Sequence, residues 1–122
     1  MMVSGVVRSI LIVVVTAALV LVFPVASEAG TFRFKATCFP CSWSPTFKKV
    51  AKGTRIVWKN PTTVTHTVKS YKGHWLTKRI LAPGAKTHKR LKKRGVYFFR
   101  CTIHSTLSNG VCSGMCGKIR VR

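Results

Sequence analysis

The 122-residue sequence predicts an all-β fold, a sandwich or barrel of short strands, on three observations. Apolar and polar residues alternate with period two in several short runs. Turn-forming residues separate those runs at regular intervals. No stretch after Gly30 carries a helical period, so strands must supply the core.

The elements follow in order. Phe32-Arg33-Phe34-Lys35-Ala36 alternates apolar with basic, the pattern of a strand with one face inward. Arg55-Ile56-Val57-Trp58-Lys59 is β-branched and aromatic, opened by Gly53 and closed by Asn60-Pro61. Residues 64–70, rich in Val and Thr, read as the next strand. Pro83-Gly84 turns the chain into a basic strand across residues 86–92, and Gly95 turns it out again. Residues 96–101 put Tyr97, Phe99 and Cys101 on one face and Phe98 and Arg100 on the other. Residues 118–121 close the chain, with Ile119 and Val121 facing one way. Trp58 and Trp75 read as core aromatics. There is no internal repeat and no linker.

The N-terminal segment stands apart. Residues 9–26 are uncharged, with an apolar centre at residues 10–22, Arg8 before it and Pro24 breaking it. Ser27-Glu28-Ala29 then places small residues at the two positions a signal peptidase reads. Residues 1–29 are expected to be a secretory signal peptide, which makes the protein secreted or extracytoplasmic. If it is retained, the same run is just long enough to anchor the chain in a membrane. Cleavage after Ala29 leaves residues 30–122, room for one domain only. A sandwich of that size has a thin core, which covalent or metal staples would reinforce.

Charge narrows the chemistry. The chain has 22 Lys and Arg against one acidic residue, a net charge of +21. That acid, Glu28, precedes the expected cut, so the domain contains no Asp or Glu. Paired-carboxylate hydrolysis, a Ser-His-Asp triad and a carboxylate calcium cage are all excluded. So basic a body seeks polyanions, and an acidic redox partner or an anionic membrane or wall surface fits. Nucleic acid is not expected, since no groove-reading motif is present and export removes the usual target. Lys86, Lys89, Arg90, Lys92, Lys93 and Arg94 are the densest cluster and read as a solvated face. The domain is expected to be a monomer.

Five cysteines in an exported domain leave one over from pairing. Cys38 and Cys41 form a C-x₂-C, Cys112 and Cys116 a C-x₃-C, and Cys101 stands alone beside a histidine. Four in disulfides and one on a metal accounts for all five. Two rival readings exist for the couplets. A tetrathiolate zinc site would use all four, but an oxidising compartment opposes it. A redox-active Cys38-Phe39-Pro40-Cys41 would need a helix N-terminus that this β-rich stretch does not offer.

The chemistry concentrates in Cys101-Thr102-Ile103-His104, followed by Met115 and preceded by His66. A thiolate, two imidazoles and a thioether are the ligand set of a trigonal His₂Cys copper site with a weak axial sulfur. Cys101 ends a strand whose inward face carries Tyr97 and Phe99, so its sulfur belongs at the rim of the core. Three residues on, the turning chain can return His104 to the same point. With no carboxylate in the domain, a ligating imidazole is expected to rest its second N–H on a backbone carbonyl or water. His88, among lysines, reads as a surface residue. His74, beside Trp75, reads as a loop histidine rather than a second metal contact. A core methionine is the alternative for Met115.

Gly53-x₄-Trp58-x-Asn60, His66-Thr67-Val68, Leu81-x-Pro83-Gly84, Gly95-x-Tyr97-x-Phe99-x-Cys101-x₂-His104 and Gly114-Met115-x-Gly117-x-Ile119 together resemble the cupredoxins. These are small blue copper proteins similar to plastocyanin, amicyanin and pseudoazurin, and the resemblance spans residues 32–122. It implies a Greek-key β-sandwich with one type 1 copper ion at one end. His66 and His104 would be the imidazole ligands, Cys101 the thiolate and Met115 the axial sulfur. One departure stands out: the separation of His104 from Met115 is longer than the tight ligand loop of the family, so residues 105–113 are expected to bulge out. In the family fold, Cys38 and Cys41 would fall near the metal end. The resemblance therefore favours two bridges joining Cys38 and Cys41 to Cys112 and Cys116, with pairing inside each couplet as the rival.

The resemblance implies a one-electron carrier. Copper storage or delivery and a non-redox cationic module on the same scaffold are the alternatives. Enzymatic activity is not expected, because copper oxidases place histidines beside the copper cysteine, and here the flanks are Arg100 and Thr102.

Overall fold

A computed structural model describes residues 10–21 and 29–122. Residues 30–122 form nine strands and no helix: β1 (Thr31–Thr37), β2 (Ser42–Ser44), β3 (Phe47–Val50), β4 (Arg55–Lys59), β5 (His66–Tyr71), β6 (Arg79–Leu81), β7 (Lys86–Arg90), β8 (Gly95–Ser108) and β9 (Val111–Val121). They make a four-stranded sheet in the order β2-β1-β4-β7 and a five-stranded sheet in the order β3-β9-β8-β5-β6. Both sheets are mixed, with β1 parallel to β4 and β3 parallel to β9.

The two sheets bury their apolar faces against each other. Phe34, Trp43, Ile56 and Trp58 come from the first sheet, and Val68, Leu81, Phe99 and Ile119 from the second. Phe99 is the hub, with ring centroids 4.9 Å from Phe34, 5.4 Å from Trp58 and 5.7 Å from Trp43. Its edge-to-face contacts with all three are the favourable aromatic geometry. Among the described residues, every member of the core cluster lies between Phe32 and Val121.

The alternating strands form where expected, and β4 has the expected bounds. Three short strands were not expected. In β2 and β6 there are too few residues to display a period, and β3 interrupts its apolar pattern with Lys48-Lys49.

The largest difference lies between His104 and Met115. Instead of bulging out as a loop, this segment continues both strands as a hairpin. Ser105 pairs with Gly114 and Ser108 with Val111, around a two-residue Asn109-Gly110 turn. Both turn residues have positive φ, 50° and 77°. Asn-Gly favours that conformation in tight hairpins, which explains why the insertion folds as a ribbon.

The disulfides also differ from the expected arrangement. Cys38 bonds Cys41 and Cys112 bonds Cys116, each couplet closing on itself rather than on the other. The hairpin supplies the reason: it places Cys112 opposite Leu107, out along the ribbon, while Cys38 lies against His66. The expected signal-peptide cleavage after Ala29 depends on residues 22–28, which lie outside the described residues, as do residues 1–9. Residues 10–21 have no regular secondary structure. Among the described residues no helix is long and apolar enough to cross a membrane.

Candidate metal centre

The site begins with an irregularity in the β8–β9 pairing. Arg100 pairs with Cys116, yet the next register pair is Ser105 with Gly114. Four residues of β8, 101–104, therefore stand opposite the single β9 residue Met115. Such a bulge bends a strand and re-aims its side chains. Here it keeps Cys101 inward and lets His104, three residues on, point back to the same place. The Ser105 hydroxyl donates to the Cys101 carbonyl and the Arg100 guanidinium donates to Ser105 Oγ at 2.9 Å, which pins the bulge.

His66 opens β5, adjacent to β8, and completes the cluster. Its Nδ1 is 3.1 Å from His104 Nδ1 and 3.8 Å from Cys101 Sγ, and Cys101 Sγ is 3.5 Å from His104 Nδ1. The point equidistant from these three atoms lies about 2.0 Å from each, close to ordinary metal–nitrogen and slightly short of metal–sulfur bond lengths. His66 and Cys101 are fully buried and His104 is half-buried. Met115 is also fully buried, opposite the bulge on β9. Two imidazoles and one thiol converge, with a thioether across the strand pair, and that donor set fits a single copper ion. Trp43, whose ring centroid is 6.5 Å from that of His66, contributes to the apolar wall.

The second layer of contacts sets proton positions. Thr62 Oγ donates to Asn60 Oδ1 at 2.6 Å and lies 3.0 Å from His66 Nε2. Having given its one proton to Asn60, the hydroxyl accepts from His66 Nε2–H. This tautomer leaves the Nδ1 lone pair facing Cys101 and His104. The partner of the second nitrogen is thus a threonine hydroxyl, where a backbone carbonyl or water was expected. Asn60 is itself locked, with Nδ2 donating to the carbonyls of Val64 and Leu81 at 2.8 Å each. Cys38 Sγ is a further neighbour of His66 Nε2 at 3.6 Å.

Around the sulfur, the Thr67 backbone N–H donates to Cys101 Sγ at 3.3 Å. An N–H aimed at sulfur favours the negative charge it carries when it ligates a metal. The Thr67 hydroxyl accepts from the Thr102 N–H at 2.7 Å and ties β5 to the bulge. Burial holds the His66 imidazole below its usual range, and the proximity of His104 pushes it the same way. His66 is therefore neutral and able to ligate at neutral pH.

The fold thus brings His66 on β5 together with Cys101 and His104 on the bulge, and sets Met115 buried opposite the bulge on β9. Cys38 and Cys41 reach the same end, whereas Cys112 and Cys116 do not join them. His88 is exposed on β7, and His74 is exposed in the segment between β5 and β6. Thr62 and Ser105 escaped the sequence reading, and Thr67 entered it only within the His66-Thr67-Val68 motif. Only the turn-forming run Asn60-Pro61-Thr62-Thr63 hinted that the approach to His66 is shaped by side-chain hydrogen bonds.

No protein-family model and no curated protein sequence matches the chain. Solved structures do match. A purple cupredoxin from Nitrosopumilus maritimus is 20% identical, with 74% of this chain and 98% of that chain covered at a TM-score of 0.58. Pseudoazurin from Methylobacterium extorquens is 21% identical, with 75% and 74% covered at 0.57. A copper-containing nitrite reductase from Thermus scotoductus is 18% identical at 0.55, but the match covers only 22% of that longer chain. At such identities the likeness speaks for architecture, and it agrees with the two-sheet topology and the strand-end cluster: this chain has the cupredoxin fold.

Proposed function

We propose that the protein is an exported type 1 copper protein that carries single electrons. The observation that carries this reading is the convergence of His66 Nδ1, Cys101 Sγ and His104 Nδ1 within 3.8 Å of one another. Copper held there would supply a Cu(I)/Cu(II) couple suited to mixed sulfur and imidazole ligation. The protein's own part is to fix the donors before the metal arrives. Thr62 fixes the His66 tautomer, Thr67 aims an N–H at the sulfur, and the bulge anchors His104. Donors anchored on β5, β8 and β9 resist rearrangement, so a change of oxidation state needs little movement.

We read the protein as a carrier rather than an enzyme. Residues 30–122 contain no carboxylate side chain to move protons, and Arg100 and Thr102, not histidines, flank Cys101. Metal storage or delivery is the rival, and the full burial of His66 and Cys101 weighs against rapid exchange. The partner would be an acidic redox protein or an anionic surface, drawn by the net charge of +21.

Adding Cu(II) to the purified domain, residues 30–122, tests this. The expected result is intense visible absorption that a reductant bleaches reversibly and that Cys101→Ser abolishes. A colourless wild-type protein would overturn the electron-carrier reading. Colour with rapid loss of Cu(I) to a chelator would favour delivery.

A further inference from the structure

Three strands of the four-stranded sheet present an ordered field of positive charge to solvent. Pairing of β1 with β4 and of β4 with β7 aligns their outward residues in rows. One row is Thr31, Arg55 and Arg90, the next is Arg33, Val57 and His88, and the third is Lys35, Lys59 and Lys86. Six of these nine positions are Lys or Arg. Lys59 has a lysine as direct register partner on both sides, and Arg55 faces Arg90. Like charges placed directly opposite destabilise a sheet. Residues 29–122 hold no Asp or Glu to relieve them. Val57, at the centre, points outward yet is only 6% exposed and lies outside the core cluster. The surrounding long side chains shelter it with their apolar stems and keep their charged heads in water. Between them runs a shallow groove of about 210 Å³.

We propose that this face docks on an anionic phospholipid surface. A sheet face spreads its charges over an area, as a headgroup layer does, and six cations meet phosphates without needing pockets. No Phe, Tyr or Trp projects from these rows, and His88 is the one ring among them, so the face lacks the run of aromatic platforms on which successive nucleic-acid bases stack. If residues 1–29 are retained rather than cleaved, the apolar run at residues 10–21, whose large hydrophobic side chains are 66–85% exposed, would hold lipid within about 28 Å of Ala29, the longest reach of the chain from Leu21. Ala29 lies against Gly53, whose carbonyl accepts from Arg90 at 2.8 Å, so the chain enters the domain beside the first row of cations. β1 and β4 then run from that row toward Cys38 and Asn60, at the metal end. Docking through the rows leaves the metal centre at the strand ends, off the lipid-facing surface. This narrows the anionic-surface reading above and does not depend on copper.

The test uses the metal-free domain, residues 30–122, and co-sedimentation with vesicles. Binding is expected to phosphatidylcholine vesicles containing phosphatidylglycerol, to be lost on phosphatidylcholine alone, and to fade as salt rises. The deciding comparison holds net charge equal. Lys35→Gln/Lys59→Gln/Lys86→Gln should weaken binding on the order of 100-fold. Lys49→Gln/Lys69→Gln/Lys78→Gln, on the other sheet and on the connection leading into β6, should cost less than about a tenth of that. All six lysines are solvent-facing or edge positions, and an unchanged thermal midpoint confirms folding. Equal weakening by both triple variants would overturn the proposal in favour of overall charge. Equal binding to neutral vesicles would overturn it too. Tight binding of long-chain inorganic polyphosphate without vesicle binding would replace the membrane with a soluble polyanion. A blue protein that fails here keeps its electron-carrier reading, and a colourless one that passes keeps its docking face.

Discussion

Gly114 is where β9 passes over the backbone of His104, and a single methyl group there probes how the metal centre is held. Gly114 has a φ of +99°, and a Cβ on it would stand 2.5 Å from the His104 carbonyl oxygen and 3.2 Å from Ser105 Cα. Carbon–oxygen contacts relax near 3.3 Å, so the strands would have to separate by roughly 0.8 Å. The positive φ adds about 1–2 kcal/mol for any residue with a side chain. Overpacking against backbone adds about 1–3 kcal/mol more. Gly114→Ala should therefore cost about 2–5 kcal/mol in urea unfolding of the metal-free domain. Gly110→Ala is the control, because Gly110 also has positive φ (+77°) but its Cβ would meet nothing within 4 Å. It should cost only about 1–2 kcal/mol. Because the displaced atoms belong to His104, Gly114→Ala should also weaken copper binding about 10-fold or more, whereas Gly110→Ala should not. Equal destabilisation by the two variants, with identical copper titrations, would refute the claim that close approach at Gly114 positions His104.

Two further outcomes follow from the site. Thr62→Val keeps the shape of residue 62 but removes the acceptor for His66 Nε2–H. It should shift the visible band and lower copper affinity about 10–100-fold, with Thr62→Ser restoring both; a merely structural loss would change stability and leave the spectrum alone. The second concerns pH. Since His66 is held below its usual value of 6.5, the unfolded chain takes up a proton that the folded one refuses. Its contribution to the metal-free domain is present above that pH and declines as pH falls below it, with a slope of at most about 1.4 kcal/mol per pH unit. Unfolding midpoints measured across this range should fall, and His66→Gln should flatten that part of the decline.

Much of this protein is legible in its sequence. Strand β1 announces itself because one face is buried, and burial forces the alternation at Phe32-Arg33-Phe34, whereas β4 and β8 announce themselves by runs of β-branched and aromatic residues opened by Gly53 and Gly95. The candidate ligands His66, Cys101, His104 and Met115 stand out because few combinations of side chains suit copper. Their spacing also matched a known pattern. The lack of Asp and Glu in residues 30–122 limits the chemistry by composition alone. Other features depend on which distant residues become neighbours. Cys38 and Cys41 looked suited to bridge Cys112 and Cys116 until the Asn109-Gly110 hairpin carried Cys112 out along the ribbon. Thr62 is an ordinary turn residue until the fold sets its hydroxyl against His66. The rows of lysine and arginine exist only in the register of β1, β4 and β7, segments separated by about 20–30 residues of chain. Local sequence determines which face of a strand turns inward, because the pleat is a local geometry with period two. Pairing partners and register are settled by packing the whole core at once, and so the disulfides, the imidazole tautomer and the cationic face were decided by tertiary structure.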